Sequence, residues 1–346
     1  MSNPFRKLNR LNQKYNSALA EAKKVDPAIP APPLAFMDAL RAHMLHGASI
    51  AEYFMFQFWN KSHAERSQFM TSQRKRAFMR EANDPDTWLD INHKAKFDKR
   101  FERYLRRHWI SLPEASREEF VAFVREYRPV FIKGCQGGWG EGIRKIDRED
   151  PEELTRLYDE LIQDGGPHQQ GFVVEEGIVQ NEIMQSLHPQ SVNTVRIVTF
   201  NNEKEVVIMS TVLRCGCGEA FVDNHAAGGV SALIDPETGI VNSLGVGQGR
   251  RNLEKHPDSG VPFMGFQIPC WEEAIRTAKE AAASLDNIHY MGWDLAFPKA
   301  GGVCIIEGNP SAVIHSCQEI PQVGVKPLFD RMLKDLAENK RTIQNN

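Results

Sequence analysis

Two carboxylates and an amide near the ends of two neighbouring predicted strands could together bind a metal ion. The segment VCIIEGNPSA (303–312) runs from apolar residues into Glu307 and Asn309, and the earlier segment MGWDLAF carries Asp294. Carboxylate and amide oxygens are hard ligands that suit Mg²⁺, which usually keeps open positions for water and phosphate oxygens. These residues therefore predict a site for magnesium together with a phosphate group.

The spacing of the two segments predicts that the carboxylates face each other. If residues 299–302 form a four-residue hairpin loop, Pro298 faces Val303, and counting back places Asp294 directly opposite Glu307. Two carboxylates about 5 Å apart across a sheet repel each other, so something positive must lie between them. A divalent cation would do this. In the alternative interpretation, both acids lie at strand ends and are paired with arginines.

A lysine followed by glycines could bind phosphates. Lys133 ends the predicted strand RPVFIKG, and the backbone amides of a glycine-rich loop after it could approach phosphates closely. The glycines are Gly137, Gly138, Gly140 and Gly142. The loop matches neither the Walker A motif nor G-x-G-x-x-G, so an ordinary turn is the alternative. Lys94, in NHKAKF, is a second candidate cation, although a lysine on a helix is ordinarily solvated.

Further charged residues lie within or at the ends of predicted strands. An arginine inside a β-branched strand is costly unless an anion meets it, which makes Arg196, in NTVRIVTF, a functional candidate. Glu175 and Glu176 end a short apolar strand and are either edge charges or groups that bind adenine and ribose. Cys215 and Cys217 form a lone C-x-C, which is weak evidence for zinc.

Composition narrows the class of protein. A chain of 346 residues with 41% hydrophobic residues can bury a substantial core. Neither a signal peptide nor a membrane span is evident, and the six scattered cysteines are expected to be reduced, so we expect a cytoplasmic protein. Residues 1–107 hold 20 Lys+Arg against 11 Asp+Glu. These basic residues are interleaved with helical apolar spacing, which favours a solvated helix face over a nucleic-acid surface.

Hydrophobic periodicity divides the chain into three regions. Residues 1–90 predict helices, and residues 181–346 predict a region of three hairpins and two helices. Residues 91–180 predict a small α+β unit, which includes a helix with Asp150 as N-cap and Gly165 near its end. The aromatic run 53–59 predicts a helix buried on several sides. Contact with a partner, with a second copy of the chain or with a membrane surface is the alternative for these N-terminal helices.

The motifs, taken in order, resemble those of the ATP-grasp superfamily. That order is Lys94, Lys133 with its glycine loop, VVEEGI, NTVRI, GWD and IIEGN, and the segments NEIMQSLHPQSVNTVRIVTF, DNHAAGGVSALIDPETG and GWDLAFPKAGGVCIIEGNPS are similar to the sugar-transfer-associated ATP-grasp family. The resemblance covers roughly residues 90–320. It implies an α+β ATP-grasp fold in which two sub-domains grip ATP, preceded here by a mainly helical N-terminal region. Many ATP-grasp ligases begin instead with a small parallel α/β domain.

The resemblance also implies roles for individual residues. Lys94 and Lys133 would contact the ATP phosphates beneath the loop 137–142, and Arg196 would hold the γ-phosphate. The adenine and ribose site would comprise Glu175, Glu176 and Ile178. One or two Mg²⁺ ions would be bound by Asp294, Glu307 and Asn309. The segment DNHAAGG would lie at the substrate, with Asp223, Asn224, Gly228 and Gly229. His225 there is either a proton carrier or a plain loop histidine.

The implied activity is ATP-dependent ligation of a small carboxylate to an amine through an acylphosphate, with ATP and Mg²⁺ as cofactors. By analogy with the family's name, the carboxylate could be a sugar acid. A kinase that transfers the γ-phosphate to a hydroxyl or phosphate acceptor is the second hypothesis. A non-catalytic nucleotide-binding scaffold is the third, and the apparently complete set of phosphate and metal residues argues against it.

Overall fold

The computed structural model describes residues 4–25, 29, 34–137, 142–219, 228–247 and 250–344. The N-terminal region is helical, as predicted. A short 3₁₀ turn covers Phe58–Asn60. The helices are α1 (Pro4–Val25), α2 (Leu34–His46), α3 (Ile50–Met55), α4 (His63–Ser67), α5 (Ser72–Ala82) and α6 (Pro85–Ile91).

The middle region forms an antiparallel sheet covered by helices. In chain order its elements are α7 (Lys94–Leu105), β1 (Trp109–Leu112), α8 (Arg117–Tyr127), β2 (Val130–Gly134), β3 (Arg144–Ile146), α9 (Pro151–Asp164) and β4 (Phe172–Glu176). The spatial order is β1-β4-β2-β3. The predicted start and end of α9 are confirmed: the Asp150 side chain accepts hydrogen bonds from the Glu152 and Glu153 amides, and Gly165 ends the helix at φ +72°. β1 and β3 were missed because they are only four and three residues long.

The C-terminal region is built on a larger antiparallel sheet. Its elements are α10 (Glu182–Gln185), β5 (Thr194–Asn201), β6 (Val206–Cys215), β7 (Val230–Leu233), β8 (Gly245–Gly247), β9 (Arg250–Leu253), α11 (Trp271–Ala283), β10 (Tyr290–Ala296), β11 (Cys304–Asn309), α12 (Ser316–Glu319) and α13 (Lys326–Gln344). The order is β11-β10-β5-β6-β7-β8-β9. The α+β class is therefore confirmed.

The aromatic run of the N-terminal region is buried, as predicted, but it is divided between α3 and the 3₁₀ turn that follows. Tyr53, Phe56 and Phe58 are each at most 1% exposed. These three aromatic side chains therefore pack inside the protein. Among the described residues, every helix is too short or too polar to cross a bilayer.

The two faces of the larger sheet have different roles. One face carries Ile197 and Trp293 and packs into the main core with α7 and α11. On the opposite face, Val198 and Phe200 are covered by apolar side chains of α5 and α13. Alternation places Arg196 on this second face, two residues before Val198, where the helices no longer cover the sheet. This uncovered part of the sheet is the floor of a cleft.

The last hairpin contains an irregularity that the predicted register did not include. The predicted pairing of Asp294 with Glu307 is confirmed, but near the loop Ala296 pairs with Cys304, so the predicted pairing of Pro298 with Val303 is wrong. A bulge between the two parts of the ladder restores the predicted register at Asp294. The carboxylates therefore face each other only because one extra residue is inserted in β11.

Candidate active site

A cleft of about 520 Å³ lies between the two sheets. Its walls come from the start of α7, the ends of β2 and β4, the uncovered face of the larger sheet and the segment after β11. Most of the residues predicted for phosphates and metal line it. They are Lys94, Lys133, Gly137, Arg196, Glu307 and Asn309. Glu175, predicted for adenine and ribose, also lines the cleft, whereas the predicted metal ligand Asp294 is not among the lining residues. Side chains separated by more than two hundred residues in sequence thus share one cavity.

Two arginines neutralise one of the opposed carboxylates. Arg196 donates from Nε to Asp294 Oδ1 and from Nη2 to Oδ2 at 2.6 Å, and Arg214 Nη1 donates to the same Oδ2 at 2.9 Å. The Asp294 side chain is 6% exposed. Burial favours its protonated form, but the two guanidinium groups outweigh burial and lower the pKa of Asp294. The arginine-pairing alternative therefore holds for Asp294.

The opposite carboxylate has a different environment. Glu307 Oε1 lies 3.9 Å from Arg196 Nη2, and its side chain is 47% exposed to the cleft. Partial desolvation, the charge of Asp294 and a hydrogen bond shared with Asp294 raise the pKa of Glu307. Asn309 Oδ1 accepts hydrogen bonds from the Ser311 amide and hydroxyl, both at 2.9 Å. Glu307 is thus the carboxylate of this pair that is open to a ligand.

A buried charge network forms the opposite wall. Lys133 Nζ lies 2.7 Å from Glu175 Oε2, which also accepts a hydrogen bond from Arg107 Nε at 2.9 Å. Burial opposes ionisation of Glu175, but Arg107 and Lys133 lower its pKa. Asp98 lies against the same group, and burial together with the Glu175 charge raises its pKa. Because β4 lies between β1 and β2, the edge-charge interpretation of Glu175 is wrong.

The start of α7 closes the cleft beside the glycine loop. Lys94 is the first residue of the helix, and its Nζ donates to the Gly137 carbonyl at 3.0 Å. Desolvation lowers the pKa of Lys94, and Glu307 opposes this effect. Gly137 has φ +117°, a conformation that favours glycine. Lys94 therefore lies in the cleft and not on a solvated helix face.

Some predicted residues lie elsewhere or outside the described part of the chain. Glu176 accepts hydrogen bonds from the His108 amide and ring, and Ile178 is half-buried after β4. The turn before β7 contains Gly228, at φ +89°, and Gly229. None of these four is among the described residues that line the cleft. Outside the described residues lie Gly138, Gly140, Asp223, Asn224 and His225.

Three charged residues of the site were not singled out from the sequence. Arg214 lies within β6, so the argument that identified Arg196 would also have found it. Arg107 and Asp98 carried no such signal, because Asp98 lies within the amphipathic helix α7 and Arg107 just after it, in a stretch rich in charged residues. For zinc, the described residues contain no group of three His, Cys, Asp or Glu side chains that could hold a metal ion. The structure thus gives no support to a zinc site at Cys215 and Cys217.

Gly308, between Glu307 and Asn309, lies against α7. A Cβ atom on Gly308 would lie 2.4 Å from Phe97 Cε2 and 2.4 Å from Met291 Cε. We expect Gly308→Ala to lower the free energy of unfolding by about 1–3 kcal/mol, since the buried Phe97 ring would have to move. Urea denaturation measures this. An unchanged midpoint would contradict a tight contact between α7 and β11.

Comparisons with known proteins agree with this architecture. The family model described as sugar-transfer associated ATP-grasp matches residues 73–333, whereas the search of curated proteins finds no match. Similar solved structures include the ATP-grasp ligase PsnB complexed with minimal precursor, at 14% identity and a TM-score of 0.44 over 73% of this chain and 64% of that chain.

Two further solved structures are similar at comparable levels. The biotin carboxylase domain of Hydrogenobacter thermophilus 2-oxoglutarate carboxylase, solved with MgADP and bicarbonate, has 15% identity and a TM-score of 0.48 over 74% of this chain and 48% of that chain. The ADP complex of PurK, an N5-carboxyaminoimidazole ribonucleotide synthetase, has 12% identity and a TM-score of 0.41 over 66% and 47%. The chain spans between about half and two thirds of the length of these three structures. The family match covers most of the chain, which therefore has the ATP-grasp fold and belongs to the sugar-transfer associated ATP-grasp family.

Proposed function

We propose that the protein is an ATP-dependent carboxylate–amine ligase that works through an acylphosphate intermediate. The observation that carries this proposal is the cleft in which cations on both walls face the opposed carboxylates of β10 and β11. The cations are Lys94, Lys133, Arg196 and Arg214. A nucleoside triphosphate with a divalent cation has the complementary charge distribution. Membership of an ATP-grasp family supports ATP as that nucleotide.

The donor set fits Mg²⁺ when a nucleotide supplies the remaining oxygens. Glu307 is open to the cleft, and its raised pKa reflects a negative charge that is incompletely neutralised in the protein alone. Asp294 and Asn309 would be the further ligands, each in exchange for part of its present hydrogen bonding to arginine or Ser311. When bound, Mg²⁺ would neutralise charge on the phosphate oxygens and orient them.

The residues of the cleft have complementary tasks in this reaction. Lys94 and Lys133 would bind phosphate oxygens, and the three N–H donors of Lys133 allow it to do so while it keeps its hydrogen bond to Glu175. Arg196 would stabilise the charge that spreads over the γ-phosphoryl group as the substrate carboxylate attacks phosphorus and the bond to ADP breaks. Arg214, on β6, lies one strand farther from β11 than Arg196 and shares Asp294 with it. No protein nucleophile is needed.

The second half-reaction consumes the activated acyl group. An amine would attack the acylphosphate carbonyl, and collapse of the tetrahedral intermediate would expel phosphate, while the amine loses a proton to form an amide. The products are the amide, ADP and phosphate. A sugar acid or another small carboxylate, joined to a small amine, is the substrate class that we propose. The N-terminal helices remain a proposed contact surface for a second copy of the chain.

A hydroxylamine trap tests this proposal directly. The protein is incubated with Mg-ATP, a panel of carboxylic acids and hydroxylamine, and hydroxamate, ADP and phosphate are measured. Hydroxamate formed with one acid would demonstrate an acylphosphate and identify the carboxylate. ADP with a stable phosphorylated product, and neither hydroxamate nor free phosphate, would instead establish a kinase. ATP that remains intact across a broad panel would count against both activities.

Protons should compete with the metal at Glu307. Because the folded-state pKa of Glu307 is raised, the carboxylate becomes protonated as the pH falls through that raised value, and the Mg²⁺ requirement should increase there by up to about tenfold per pH unit. The measurement is the Mg²⁺ concentration that gives half-maximal ADP release at each pH. In Glu307→Gln this dependence should disappear from whatever activity remains. A pH-independent Mg²⁺ requirement in the unmodified protein would remove Glu307 from the metal site.

A further inference from the structure

Arg107 is a buried arginine that contacts both sheets. It lies between α7 and β1, and its side chain is 2% exposed. Its three nitrogens bind three different oxygens: Nε donates to Glu175 Oε2 at 2.9 Å, Nη1 to the Ile305 carbonyl at 2.7 Å and Nη2 to the Ile306 carbonyl at 3.0 Å. Asp98 Oδ1 lies 3.9 Å away. One guanidinium group thus joins a strand of the first sheet to the end strand of the second.

The two carbonyls that Arg107 binds belong to the bulge of β11. Leu295 pairs with Ile305, and the next residue of β10, Asp294, pairs with Glu307, so Ile306 is the inserted residue. A bulge leaves backbone groups outside the regular ladder and bends the strand. Because β11 is the end strand of its sheet among the described residues, none of the described strands fixes this conformation from outside. Arg107 supplies hydrogen bonds to the bulge in place of a neighbouring strand.

The bulge determines which side of the sheet Glu307 occupies. Without the inserted residue, the register that starts at Leu295 would place Glu307 opposite Trp293, whose ring is fully buried in the core on the other face. A slip of one residue moves a side chain to the other face of a strand. The carboxylate would then have to enter the core or distort the strand. The bulge is therefore a requirement for the opposed carboxylate pair.

Arg107 is also connected to Lys133 of the first sheet, through the Glu175 carboxylate. Glu175 Oε2 accepts from both Arg107 and Lys133, so Arg107 is connected through one carboxylate to a cation of the cleft. Lysine could not replace it, because an ammonium group lacks the planar arrangement of donors that meets three separate oxygens. Arg107 thus connects Glu307, the candidate metal ligand on the larger sheet, with Lys133, the candidate phosphate-binding residue on the first sheet.

We propose that Arg107 is a positioning residue: it holds the Ile306 bulge so that Glu307 faces the cleft, and it aligns Lys133 with Glu307 through Glu175. This inference rests on the proposed function, because it assigns a purpose to the position of Glu307. Arg107 is not among the described residues that line the cleft, so it would contact neither nucleotide nor substrate directly. Its loss should therefore act on the metal requirement more than on binding of the nucleotide.

The test compares Arg107→Lys and Arg107→Met with Arg106→Met. Arg106 is the adjacent arginine, 48% exposed and paired with Glu273 at 2.6 Å, so its replacement controls for loss of charge near the same helix end. Mn²⁺ binding in the presence of ADP, and ADP binding alone, are measured together with hydrogen exchange in 304–309. We expect both Arg107 variants to bind Mn²⁺ about 10–100-fold more weakly, as for removal of a residue that orients a metal ligand. ADP binding alone should change less, and exchange should accelerate in β11.

These readouts separate the inference from the proposed function. Mn²⁺ and ADP binding can be measured without knowing the substrates. The Arg107 inference can therefore be tested even if no carboxylate yields a hydroxamate. If Arg107→Met does not fold, Arg107→Lys carries the test. Unchanged Mn²⁺ affinity in the folded variants would overturn the inference. So would equal weakening of Mn²⁺ and ADP binding with uniformly faster exchange, because this indicates a general structural role.

Discussion

Replacement of Glu307 by glutamine is expected to lower turnover by about 10²–10³-fold while leaving the fold intact. Glutamine has nearly the same shape but only one side-chain oxygen and no charge, so it cannot neutralise a divalent cation. The stability of the protein without ligands should stay the same or increase at neutral pH. This follows because the raised pKa of Glu307 means that the folded protein disfavours its ionised form.

The measurement pairs steady-state ADP release with urea denaturation in the absence of nucleotide. Glu205→Gln provides a matched control, since Glu205 is an exposed carboxylate in the turn between β5 and β6. As the pH falls through the pKa of Glu307, the stabilities of Glu307→Gln and the unmodified protein should converge. Full activity in Glu307→Gln would show that the metal assignment is wrong. A large loss of stability would show that the carboxylate has a structural role in place of the catalytic one.

Replacement of Asp294 by asparagine is expected to cost about 3–5 kcal/mol of the free energy of unfolding. Asp294 is the buried carboxylate that two arginines share, and its removal would leave Arg196 and Arg214 with unbalanced positive charge. Because its pKa is lowered in the folded protein, this stabilisation is present above the unfolded-state pKa of about 3.9 and is lost as the pH falls below it. Activity should fall as well, since Arg196 loses its support.

Urea denaturation of Asp294→Asn and the unmodified protein at several pH values tests this. The difference should be largest near neutral pH and should shrink in acid. Asp90→Asn is the control, because the Asp90–Lys96 pair is exposed, with side chains 64% and 60% accessible, and such pairs contribute at most about 1 kcal/mol. Equal losses of unfolding free energy in Asp294→Asn and Asp90→Asn would contradict the expectation that the buried charge pairs of Asp294 stabilise the fold more than an exposed pair does. If Asp294→Asn lowers the stability and Glu307→Gln does not, the two paired carboxylates have separate roles: Asp294 stabilises the fold, and Glu307 is available to a ligand.

Local sequence patterns identified the elements with strong signals. Helix α9 was predicted with its capping residues because Asp150 and Gly165 act on neighbouring backbone groups. The hairpins of β5 with β6 and of β10 with β11 followed from alternation and turn residues. Short strands such as β1 and β3 were missed, because three or four residues carry too little periodicity. Their pairing depends on a sheet assembled from distant segments.

The sequence by itself determined that Asp294 and Glu307 would lie on the two strands of one hairpin, because turn residues and strand alternation are local properties. The predicted loop register was nevertheless wrong by one residue, and the bulge at Ile306 corrected it. That bulge adjoins Arg107, nearly 200 residues earlier in the chain, and no local pattern could anticipate their contact. Tertiary structure alone decided which carboxylate is neutralised by arginines and which stays open to the cleft, since burial and charge pairing depend on segments that meet only in the folded protein.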